Sequence, residues 1–132
     1  MKILFVGSNP STSSKTTEAF AEDTVSGRNL RSWIDGVEGE LYFDNISSKK
    51  TKENRPLLPK EISRASKMLA ERIAQVSPDR VVALGKSAAA ALEKLEIEFV
   101  EMPHPSGLNR QLNDKQFMAD KIEELKKYCE EG

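Results

Sequence analysis

Apolar and polar positions alternate along this chain in blocks. Ile3 to Val6 is a short β-rich run closed by Gly7, which predicts a central strand. A polar stretch from Ser8 to Asp23 then predicts a long loop. Leu30, Trp33 and Ile34 sit three or four positions apart, with Ser26-Gly27 ahead and Gly36 after, so a helix is expected over about Arg28 to Asp35. Glu40 to Asn45 carries Leu41, Tyr42 and Phe43 and reads as a second strand. Residues 46 to 58 are polar again. Pro59 suits the first turn of a helix in which Ile62, Ala65, Leu69, Ile73 and Val76 recur until Ser77-Pro78 stops it.

Arg80 to Gly85 is near-continuously apolar with a glycine exit, the pattern of a parallel strand covered on both faces. A helix from about Lys86 to Leu95 follows, then a fourth strand over Ile97 to Met102. Asn113 with Gln116 three residues on resembles a capping box opening a helix to about Cys129. Strands and helices in alternation predict a three-layer α/β/α domain with a small, mainly parallel sheet of about four strands.

The 132 residues fit a single domain, 1–132. Twenty basic against 21 acidic groups leave a formal charge of −1, so nothing pulls the whole molecule toward nucleic acid or an anionic membrane. A local patch must serve instead. Lys49, Lys50, Lys52 and Arg55 form the most basic stretch and are either a phosphate contact or a solvated face. The amino terminus turns polar too soon for a signal segment, and no apolar run approaches a membrane span. A soluble, cytoplasmic monomer is expected. The lone cysteine, Cys129, reads as a half-buried apolar residue.

Two loops carry the candidate chemistry. Gly7-Ser8-Asn9-Pro10-Ser11 follows the first strand, and Met102-Pro103-His104-Pro105-Ser106-Gly107-Leu108-Asn109-Arg110, with the only histidine, follows the last. In open α/β sheets the loops after the strands line the ligand crevice, so both are expected to face one site. That site offers an imidazole (His104), carboxamides (Asn9, Asn45, Asn109) and hydroxyls (Ser8, Ser11, Ser106), a set suited to hydrogen bonding. It lacks a nucleophilic triad and metal-ligand spacing, so no metal site is expected. Gly85-Lys86-Ser87 is not a P-loop, because the upstream glycine is absent.

These two loops resemble the signature loops of the uracil-DNA glycosylase superfamily. The first is similar to the Gly-x-Asn-Pro of its mismatch-specific and single-strand-selective branches, where the main uracil glycosylases carry an aspartate. The second combines the histidine with the Ser-Gly-Leu-Asn run of the mismatch-specific group. Leu84 to Ala88 and the strand ending in Asn45 share the likeness, which spans nearly the whole chain. The resemblance implies excision of uracil or a related damaged base from DNA, with no metal or cofactor. His104 would donate to the leaving base and Asn9 would position the attacking water. Gly7, Ser8, Pro10 and Asn45 would bind the base, Asn45 reading its edge. Ser11, Lys15, Ser106, Gly107, Asn109 and Arg110 would contact DNA, and Leu108 would wedge into the stack. One departure is plain: no Phe or Tyr directly follows the first loop, where one usually stacks on the base, and Phe20 lies too far along to assign.

Each residue also has an ordinary reading. His104 could be a satisfied structural group, Asn9 a turn former, Asn45 a loop cap and Leu108 a core residue. Asp44 could replace the missing carboxylate base, but strand alternation points it away from Asn45. Trp33 and Phe43 are expected in the core. A second function, a non-catalytic binder capturing a small nucleotide or nucleobase-bearing ligand, is favoured by the short chain, the near-neutral charge and the missing aromatic.

Overall fold

The computed structural model describes residues 1–9, 15, 18–47, 50–51, 55–106 and 109–130. Strands β1 (Lys2–Gly7), β2 (Glu40–Asn45), β3 (Arg80–Leu84) and β4 (Val100–Met102) alternate with helices α1 (Val25–Trp33), α2 (Pro59–Val76), α3 (Lys86–Lys94) and α4 (Lys115–Glu130). The four strands form one sheet in the order β2-β1-β3-β4, and every pairing is parallel.

The apolar runs are continuous because both sheet faces are covered. In β1, Ile3 and Phe5 enter a cluster with Leu30 and Trp33 of α1 and Met118 and Leu125 of α4. Leu4 and Val6 point the other way, into a cluster with Leu69 and Ile73 of α2 and Ala88 and Leu92 of α3. The period-two alternation of the strand thus feeds two cores, giving the three-layer α/β/α arrangement expected from the pattern.

The chain leaves β1 for β2 on one side and returns to β3 on the other. Where the connections diverge, a crevice opens at the carboxyl ends of the strands.

Three boundaries differ from the sequence reading. α1 begins at Val25, three residues before Arg28, because the Thr24 hydroxyl caps it by accepting the Gly27 N–H (3.0 Å) while donating to the Ala21 carbonyl (2.7 Å). α4 is capped by Asp114, which accepts the Phe117 N–H (3.0 Å), and Asn113 instead closes a 3-10 turn, Arg110–Asn113. β4 is only three residues long, so it pairs with Val82, Ala83 and Leu84 and leaves Val81 uncovered. The Tyr128 phenol fills that gap, accepting the Val81 N–H (3.3 Å) and donating to the Val81 carbonyl (3.2 Å).

Candidate active site

A cavity of about 510 Å³ occupies the crevice. It is lined by Ser8 and Asn9 after β1, Asn45 at the end of β2, Gly85, Lys86 and Ser87 after β3, and His104, Ser106 and Asn109 after β4. The expectation that both loops face one site is met by these residues. Pro10, Ser11, Gly107 and Leu108, and with them Lys49 and Lys52, lie outside the described residues.

His104 is held from three sides. The Ser106 N–H donates to Nδ1 (3.1 Å), Asn109 Nδ2 donates to the His104 carbonyl (2.9 Å), and Asn29 of α1 donates to the neighbouring Pro105 carbonyl (2.8 Å). With Nδ1 accepting, the neutral ring carries its proton on Nε2. Burial lowers the imidazole pKa from its ordinary value, which favours that neutral form. Nε2 has no hydrogen-bond partner among the described residues. The ring fits because Gly85 has no side chain: a Cβ there would sit 3.1 Å from His104 Cβ and 3.2 Å from Cδ2, at a φ of +96°.

Asn9 has a fixed amide orientation. Ser8 Oγ donates to its Oδ1 (3.0 Å), and its Nδ2 donates to Thr51 Oγ1 (3.3 Å), which in turn donates to the Arg55 carbonyl (2.7 Å). Asn45 is 6% exposed, and its carboxamide has no hydrogen-bond partner among the described residues. Its amide lines the cavity, where it is open to a ligand's polar atoms.

Phe20, too far along the chain to be assigned from the sequence, belongs to the cavity. Its ring lines the cavity, tilted 43° to His104 with centroids 6.2 Å apart, and its tip packs against Gly7 where a Cβ would otherwise stand. The backbone turns sharply to put it there, with Phe20 at a φ of +51°. Arg31 secures the turn by donating to the Phe20 carbonyl, and Gly27 lets α1 approach the Ala21 carbonyl closely. Distance along the chain misled the reading, because the segment folds back onto its own starting strand. The one available signal was an aromatic ring within a polar stretch.

Other residues also separate from their expected settings. Thr51, inside the basic stretch, is 3% exposed and accepts from Asn9, a role that no local pattern marks. Gly85-Lys86-Ser87, set aside as a P-loop, nonetheless lines the cavity. Arg55 lines it too, but its guanidinium is engaged by Glu61 of α2 at 2.6 and 3.2 Å. Both polar atoms of the Asn109 carboxamide are engaged, Nδ2 by the His104 carbonyl and Oδ1 by the Gln111 N–H (3.1 Å). Lys15 and Arg110 are exposed and line none of the cavity. Asp44 faces away, as expected, with Oδ2 held by Arg72 at 2.7 Å. Among the described residues no three His, Cys, Asp or Glu side chains converge as a metal-ligand set, and no helix is long and apolar enough to cross a membrane.

Fold and cavity together define an α/β protein whose strand-end crevice presents an imidazole, three carboxamides and an aromatic ring. A model of the uracil DNA glycosylase superfamily matches residues 1–126, and the chain belongs to that superfamily. No curated protein matches it.

Proposed function

We propose that the protein hydrolyses the N-glycosidic bond joining uracil, or a related damaged base, to its sugar in DNA. The observation that carries this reading is the convergence of His104, Asn9, Asn45 and Phe20 on one cavity. A flipped-out pyrimidine stacks on Phe20, while the Asn45 amide donates to one carbonyl and accepts from the ring N–H, a pairing that cytosine cannot offer. Glycosidic cleavage leaves negative charge on the departing base. His104 Nε2–H donates to the carbonyl oxygen that receives it, and such a preorganised donor contributes about 3 to 4 kcal/mol to the transition state.

Asn9 Oδ1 orients the water that attacks the oxocarbenium-like sugar. A carboxamide cannot take the proton as a carboxylate can, so turnover is slow on poor leaving groups. Ser11, Lys15, Ser106, Gly107 and Arg110 contact the flanking backbone and Leu108 wedges into the vacated stack, while Asn109 braces the histidine loop.

The test is incubation with uracil-containing single- and double-stranded oligonucleotides followed by alkali. Strand breaks that disappear in His104→Ala and Asn9→Ala support the reading. The formal charge of −1 favours the second one, capture of a small nucleotide without chemistry. No breaks from the wild type, with a nucleotide panel raising its melting temperature, would decide for capture. Phe20 removes one of the three supports for that alternative.

A further inference from the structure

We propose that Arg72 and Asp44 are positioning residues for base recognition, holding the Asn45 carboxamide in its reading orientation from outside the cavity. This rests on the base-excision reading of the same site. Asn45 closes β2, an edge strand with no neighbouring strand on its outer side among the described residues. Its own N–H and C=O would therefore face an open edge.

Two side chains take the place of the missing strand. Asp44 Oδ1 accepts the Asn45 N–H at 2.8 Å, and Arg72 of α2 donates through Nη2 to the Asn45 carbonyl at 2.9 Å. Arg72 Nε closes the ring by donating to Asp44 Oδ2 at 2.7 Å.

The clamp acts on backbone, and the side chain depends on it. With no hydrogen bond of its own among the described residues, the Asn45 amide takes its direction from the peptide beneath it and from contact with Gly7, whose absent Cβ would stand 2.7 Å from Oδ1. The Arg72 and Asp44 side chains are 38% and 28% exposed, and ion pairs so open to solvent add little to stability. Their geometry matters more than their charge. A guanidinium serves both acceptors at once through its planar fork, which a lysine ammonium on a flexible stem cannot reproduce.

The experiment measures binding of free uracil by calorimetry in wild type, Arg72→Gln, Arg72→Lys, Asp44→Ala, Asn45→Ala and the Arg72→Gln/Asn45→Ala double variant. Arg72→Gln and Asp44→Ala should each raise the uracil Kd about tenfold, a typical effect of one misplaced hydrogen bond. Arg72→Lys should fall between. Melting temperature should drop by no more than about 5 °C.

The deciding comparison is the double variant. If Arg72 acts through Asn45, removing it changes nothing further once Asn45 is alanine. An equal further loss in that background, or an unchanged Kd in Arg72→Gln, overturns the proposal. If the wild type neither binds uracil nor cuts uracil-containing DNA, the base-excision reading falls by itself, and the clamp is judged on the ¹⁵N resonances of the Asn45 side-chain amide. These should shift or broaden in Arg72→Gln, and identical signals in the two proteins would refute the clamp.

Discussion

At the scale of single residues, the proton of His104 links the proposed chemistry to stability. Burial lowers its folded pKa below the unfolded value of about 6.5. As pH falls, the unfolded chain therefore binds the proton first. The contribution of this group to stability is full above about pH 6.5 and declines below it until the folded ring titrates as well. Urea unfolding at a series of pH values should show this acid slope in the wild type and a shallower one in His104→Gln. On the base-excision reading, in which the neutral ring donates to the leaving base, activity should hold to lower pH than an ordinary histidine would allow. Thr51 offers a second check: Thr51→Val removes the acceptor for Asn9 Nδ2 and should lower kcat about tenfold, the scale of one hydrogen bond. Thr51→Ser should restore most of it, with KM little changed in either.

Among the elements, the exposed flank of β3 is the most telling, since one phenol does the work of two missing strand residues. Tyr128→Phe keeps the packing but leaves the Val81 N–H and C=O without it, and should cost about 1 to 3 kcal/mol in chemical denaturation. The strands and α2 were legible in the sequence because buried parallel strands and a Pro-started amphipathic helix leave strong local patterns. The start of α1 was not, because its cap depends on Thr24 folding back to Ala21. The site divides in the same way. His104, Asn9 and Asn45 sit directly at strand ends, where position alone predicts convergence, and the cavity contains all three. Phe20, which lines the cavity, and Thr51, which braces Asn9, are carried by loops whose path is set by tertiary contacts such as Arg31 to Phe20 and Thr51 to Arg55. No local periodicity encodes those.

For the whole molecule, near-balanced charge limits how tightly DNA can be held by phosphate contacts alone. Arg55 is already partnered, which reduces the cationic surface around the cavity further. A plot of log affinity for single-stranded DNA against log salt should be shallow, with a slope of about −1 to −3, and a slope of about −6 or steeper would contradict this picture.

The unequal strands also give the molecule an order of failure. β1, which delivers Asn9, pairs through all six of its residues with β2 and through four with β3, whereas the peripheral β4, which delivers His104, pairs through three. Partial opening starts where the ladder is shortest, so deuterium should enter Val100–Met102 well before Leu4–Val6. On warming, the imidazole is then released while the carboxamide is still anchored, and the proposed base excision should fade several degrees before far-ultraviolet circular dichroism registers any loss of helix.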